Sequence, residues 1–177
     1  LDLTSNSIQS ITSGAFRNQR QLQTLILAAN QIQLITDDAF NSLKSLHTLD
    51  LLNNRLTSLR PAWFQPLTQL WSINLSGNQI ADIPIGTFAA NNLHTLRIAT
   101  NQLQVLHRNS FGSLTNLDTI WVLGNMINAL DRRFFEDAVY LHNFWASSNL
   151  CISRNILGFR GNFEANMQLL EPCFANY

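Results

Sequence analysis

The sequence predicts an α/β solenoid, a horseshoe of stacked strand-and-turn units with a parallel sheet on its concave face. Two observations predict it. Asparagine recurs at Asn6, Asn30, Asn54, Asn78, Asn101, Asn125 and Asn149, at spacings of 24, 24, 24, 23, 24 and 24 residues. Around each one the same apolar frame returns, as in Leu46-His47-Thr48-Leu49-Asp50-Leu51-Leu52-Asn53-Asn54-Arg55-Leu56. Such a fixed period marks a repeat architecture in which each unit contacts only its neighbours.

Each element of the unit follows from that frame. Apolar residues stand eight, five and three places before the asparagine, as with Leu22, Leu25 and Leu27, or Leu93, Leu96 and Ile98. Their alternation predicts a short strand, and stacking the units makes the sheet parallel. Two and five places after the asparagine comes a second pair, such as Ile32 and Ile35. Ten places after it stands Phe16, Phe40, Phe64, Phe88, Phe111 or Phe135, which predicts an aromatic spine on the irregular or briefly helical convex side. One unit cannot bury its own leucines, so neighbours must supply the core. The asparagine carboxamide donates and accepts at once, so a stacked column of them can satisfy turn backbone that no sheet ladder reaches.

Two departures shape the rest. Four residues separate Phe88 from Leu93 where five stand elsewhere, which predicts a tighter convex turn that loses its helix without breaking the sheet. After Asn149 the frame stops. Residues 1–150 are therefore expected to form about seven repeats, the first truncated, and residues 151–177 a C-terminal cap with one short helix. That helix is expected to be capped by Asn162, to bury Phe163, Met167 and Leu170, and to end at Pro172. Cys151 and Cys173 both fall in this segment. One disulfide closing a loop of about 20 residues is preferred, with two buried free thiols as the alternative. A disulfide would imply a secreted or extracellular setting. The chain starts within a strand, at Leu1-Asp2-Leu3, so a piece of a longer protein is expected.

Composition narrows the function. Hydrophobic residues make up 46% of the chain and charged residues 12%, enough apolar content for a continuous core. Eleven basic residues balance eleven acidic ones, which gives no support for a nucleic-acid partner. No apolar run reaches the ~20 residues that membrane insertion needs. The chain has no G-x-S-x-G, H-E-x-x-H, C-x-x-C or Gly-rich phosphate loop, so neither an enzyme nor a cofactor is expected. His47, His94 and His142 share a column but occupy alternate repeats, about 10 Å apart, too far for one metal ion. The pairs Asp37-Asp38 and Glu136-Asp137 read as solvated surface.

Recognition is expected in the columns that vary. Four places before each asparagine stand Asp2, Ile26, Asp50, Asn74, Arg97, Trp121 and Trp145, all predicted to face outward from the concave sheet. Two places before stand Thr4, Ala28, Leu52, Ser76, Ala99, Leu123 and Ser147. Six places before stand Thr24, Thr48, Ser72, Thr95, Thr119 and Asn143, a mostly hydroxyl column explained by the fit of threonine to half-exposed strands. Trp121 and Trp145 on adjacent strands, beside Arg97 and Leu123, would form an exposed apolar patch of the kind that binds proteins. The alternatives are that the cap covers them or that they only stack on each other. Asp50, Arg97, Trp121, Leu123 and Trp145 are the candidate partner-binding residues. Asn74-Leu75-Ser76 is a glycosylation triplet on the same face, with an unused triplet as the alternative.

The frame L-x-x-L-x-L-x-x-N-x-L-x-x-L-x-x-x-x-F, from Leu1 to about Leu150, resembles the 24-residue leucine-rich repeats of Toll-type receptor ectodomains and Slit-like proteins. That resemblance implies a curved solenoid that recognises proteins, in innate immunity, adhesion or development, with no catalytic residues. The common four-cysteine extracellular cap is missing. The segment from Leu150-Cys151-Ile152 through Asn162-Phe163 to Pro172-Cys173-Phe174 resembles caps of secreted insect leucine-rich repeat proteins. The leading expectation is an extracellular module binding a protein ligand on its concave face. The alternative is a scaffold that self-associates through its N-terminal edge or a convex flank containing Trp63.

Overall fold

The computed structural model describes residues 1–177. In chain order the first units contribute β1 (Ser10–Ile11), β2 (Thr24–Ile26), β3 (Leu34–Ile35) and β4 (Thr48–Asp50). The middle adds α1 (Pro61–Phe64), β5 (Ser72–Asn74), β6 (Thr95–Arg97) and β7 (Val105–Leu106). The last part holds β8 (Thr119–Trp121), β9 (Ala129–Leu130), α2 (Arg132–Asp137), β10 (Asn143–Trp145), β11 (Ile156–Leu157) and α3 (Phe163–Phe174). Together they make a parallel-strand solenoid of about six turns.

One seven-stranded sheet, ordered β11-β10-β8-β6-β5-β4-β2, lines the concave side. Asp2 extends it with a parallel bridge to Ile26. The strands stay short because each turn of the solenoid gives the sheet only three residues. Their central residues, Leu25, Leu49, Ile73, Leu96, Ile120 and Phe144, are wholly buried. Forty-seven buried residues form one core cluster from end to end, so no internal boundary divides it.

The asparagines hold the turns together. Asn78 donates to the carbonyls of Leu75 (2.9 Å) in its own unit and Leu51 (3.0 Å) in the preceding one, and its Oδ1 accepts from Leu56 N (3.0 Å). Asn54, Asn101 and Asn125 repeat the pattern. Asn78→Ala strands three backbone groups at a buried position. It is expected to remove about 1–3 kcal/mol, read from urea unfolding.

The residue before every asparagine has a positive φ: Ser5, Ala29, Asn53, Gly77, Thr100, Gly124 and Ser148. The strand must turn sharply there for the asparagine side chain to point inward. Glycine supplies this conformation without strain at only two of the seven places.

The convex side departs from expectation in places. Phe16, Phe40, Phe64, Phe88 and Phe111 occupy the spine, with ring centroids 5.2 Å apart for Phe64–Phe88 and 5.6 Å for Phe88–Phe111. At the last repeat the helical turn of α2 puts Phe134, not Phe135, against Phe111 at 5.2 Å. Phe135 turns instead to Phe144 and Phe159. The shortened unit pulls its neighbour close, and Phe88 and Phe111 form a parallel bridge. A Cβ on Gly112 would lie 2.2 Å from the Ala89 carbonyl oxygen. Gly112→Ala therefore forces backbone apart and is expected to lose about 1–3 kcal/mol by the same unfolding assay. Asn91, standing where three other units have Leu43, Leu67 and Leu114, donates to the carbonyls of Phe64 (3.0 Å) and Leu67 (2.7 Å).

Trp63 contradicts the convex-flank expectation. It is 3% exposed in α1 and packs edge-on against Phe64, so it belongs to the core and offers no surface for self-association.

At the C-terminal end β11 runs antiparallel to β10 and closes the sheet edge. α3 packs on β9 and buries Met167, Leu170 and Cys173. It runs through Pro172 to Phe174, beyond the expected stop, and Asn162 makes no side-chain cap. A proline in the final turn loses one hydrogen bond but leaves the preceding turns intact. Cys151 and Cys173 are joined by a disulfide. Arg160 seals the end of α2, hydrogen bonding to the carbonyls of Phe135 and Ala138 while lying 4.3 Å over the Phe163 ring. Burial holds its pKa below the usual arginine value.

Candidate functional site

The sheet register places the variable residues in straight rows. Ile26, Asp50, Asn74, Arg97, Trp121 and Trp145 are aligned partners across β2, β4, β5, β6, β8 and β10. Side chains alternate in direction along each strand, so this row faces away from the buried leucines onto the concave surface. The structure therefore brings Asp50, Arg97, Trp121 and Trp145 into one row. Leu123, half-buried, lies two residues beyond Trp121.

The two halves of the row differ chemically. In the N-terminal half the side chains fold back on their own turn. Asp2 accepts from the amide of Thr4 (2.9 Å) and from its hydroxyl (2.5 Å). These bonds, the hydroxyl's first, hold the Asp2 carboxyl below its ordinary range. Asp50 accepts from Leu52 N (2.8 Å) and Asn74 from Ser76 N (3.2 Å). Asn74 Nδ2 lies 3.5 Å from Asp50 Oδ2, while Ser76 Oγ accepts from Ala99 N.

In the C-terminal half the row changes to side chains that cannot accept those amides, and they stack on one another. The Arg97 guanidinium lies 5.4 Å from the centre of the Trp121 ring, and the Trp121 and Trp145 rings are 5.1 Å apart, tilted by 34°. The two tryptophans are half-buried by this stacking, less exposed than the sequence suggested. Arg97 makes no ion pair. The Trp121 indole N–H has no partner within the chain. That N–H is buried within the chain, as is the equally unpaired indole N–H of Trp63, so it is not offered to a partner on the concave face. Leu157, 59% exposed and paired across from Asn143, extends the apolar surface past β10.

Other candidate residues lie elsewhere. His47, His94 and His142 sit along one lateral edge. His94 stacks on Trp71 at 5.0 Å, and His142 lies 2.9 Å from Asp118. Trp71 is 48% exposed there and carries the exposed indole that Trp63 does not. Its place seven residues before Asn78, outside the strand, was the available signal. Asp37 pairs with Arg60, while Asp38 accepts from Ser13 and Thr36 and is held below its ordinary range by those bonds. An open hollow lined by Arg17, Asn18, Gln19, Arg20, Gln21 and Leu22 lies in a connecting turn outside the concave rows. No helix is long and apolar enough to cross a membrane.

The leucine rich repeat family model matches residues 20–80. A BspA type leucine rich repeat region model, of 6 copies, matches residues 54–156, more than half of the chain. No curated protein matches. Among solved structures the chain is similar to one from the Toll–Spatzle complex, described as a molecular hub in Drosophila development and innate immunity (glycosylated form). The TM-score is 0.76 at 28% identity, over 81% of this chain and 19% of that one. The present chain thus spans about a fifth of the length of the protein it matches.

Proposed function

The chain belongs to the leucine-rich repeat family, and from that premise we propose an extracellular, non-enzymatic recognition module that holds a protein partner on its concave face. The family and the similarity to a chain of the Toll–Spatzle complex support a protein-interaction module. The observation that carries the concave-face reading is the Arg97–Trp121–Trp145 stack. It sets a cation beside a broad apolar surface in a row whose polar N-terminal members, Asp2, Asp50 and Asn74, accept from their own turns. Tryptophan and arginine are enriched among residues that dominate interface energetics. Leu123 borders the stack, and Asp50, two strands from Arg97, would form the outer rim. The Cys151–Cys173 disulfide supports an oxidising, extracellular setting. The similarity to a Toll–Spatzle complex chain supports a role in innate immunity or cell-surface recognition. A glycan on Asn74 would stand between Asp50 and Arg97 and direct the partner toward the tryptophans.

Capture from the medium of secreting cells tests this. A protein retained by the wild-type chain is expected to be lost with Trp121→Ala plus Trp145→Ala, with affinity falling about a hundredfold, since hot-spot truncations remove 2 kcal/mol or more. Undiminished affinity in the double variant would remove this surface as the site.

A further inference from the structure

We propose that this face takes an acidic–apolar segment in extended conformation. One carboxylate pairs with Arg97, and a large apolar side chain two residues away lies on the Trp121–Trp145 stack. This partner chemistry rests on the concave-face reading above.

Charge selects the acid. Among the three outward rows of the sheet the only charged residues are Asp2, Asp50 and Arg97. The Asp2 and Asp50 carboxylates are engaged by local amides, and Asp50 stands two strands from Arg97. Arg97 is thus a cation that no carboxylate of this chain neutralises. Its place over the Trp121 ring orients the guanidinium and leaves its N–H fork for a planar bidentate acceptor. A basic segment would meet like charge. A neutral apolar one would strip water from Arg97 and leave it unpaired, which is unfavourable.

Geometry sets the spacing. From Arg97 on β6 to the seam between Trp121 on β8 and Trp145 on β10 is one and a half strand spacings, about 7 Å. Alternate residues of an extended chain lie on one side and are also about 7 Å apart. The segment therefore crosses the strands and presents acidic–x–large apolar, in either chain direction.

A phage-displayed library of random peptides, selected on the intact protein, tests this. Enrichment of an acidic residue two positions from an aromatic or large aliphatic one is expected. A synthetic peptide of the enriched sequence should bind about tenfold or more weakly to Arg97→Gln, and less weakly to Arg97→Lys, which keeps the charge. Replacing the peptide's acid with its amide should weaken binding by a similar factor, and that factor should vanish on Arg97→Gln. Peptides that need Trp121 and Trp145 yet show no acidic preference, or bind Arg97→Gln unchanged, would overturn this proposal and leave the concave-face reading standing. Enriched peptides indifferent to Trp121→Ala plus Trp145→Ala would overturn both. No enrichment over a blank surface would also count against the acidic–apolar segment.

Discussion

Phe88→Ala is expected to lose about 3–5 kcal/mol of stability, among the largest effects of any single change in this chain. Phe88 is 1% exposed and lies between the rings of Phe64 and Phe111. It also sits where the shortened unit draws two turns together, with Gly112 N donating to its carbonyl. The truncation leaves a cavity that the bridged backbone cannot collapse around. Because each unit contacts only its neighbours, the damage falls on the coupling between the two halves of the solenoid. A denaturant series measures it: a lowered midpoint with a smaller slope is the expected result. A loss below about 1 kcal/mol would mean that the spine packs loosely there.

The second large effect is expected from the cap. The Cys151–Cys173 disulfide spans 22 residues and ties the loop after Asn149 to buried Cys173 on α3. Closing a loop of that length stabilises by about 3 kcal/mol in the chain-entropy model. Cys151→Ser plus Cys173→Ser should lower global stability by about 2–4 kcal/mol and speed amide exchange in α3 before it does so in β4 or β5. The Arg132–Glu171 pair and the Arg160 contacts remain, so α3 should fray without the sheet unravelling. Equal α3 exchange in the wild type and the double variant would show that packing alone holds the cap.

The frame of the fold was readable because every unit repeats it. Asn54 and Asn78 make the same three bonds one turn apart, so one physical role explains both. Features without a repeat were harder to read. β11 is two residues long and reverses direction, leaving no alternation to detect. Phe134 and Phe135 are adjacent, and only the α2 turn decides which joins the spine. Trp63 and Trp71 look alike in sequence, yet one follows Pro61 into a helix against the core and the other precedes a strand at the edge. The left-handed residues were hidden because Ala29 and Thr100 adopt a conformation that residue type does not announce. At the candidate site the row itself was legible from spacing. The stacking of Arg97 on Trp121 was not, because it depends on side-chain direction across two strands.

The proposed site of recognition is the Arg97–Trp121–Trp145 stack and not the repeat's fixed frame. The four tryptophans make it directly testable: Trp63 is buried, Trp71 lies on the lateral edge, and Trp121 and Trp145 lie on the concave row. Indole N–H resonances of nitrogen-15-labelled protein, followed during titration with the captured partner, report each position separately. Saturable shifts of Trp121 and Trp145, with Trp63 and Trp71 unmoved, are expected. A shift confined to Trp71, with Trp121 and Trp145 unchanged at saturation, would place the contact on the lateral edge and rule out the stack.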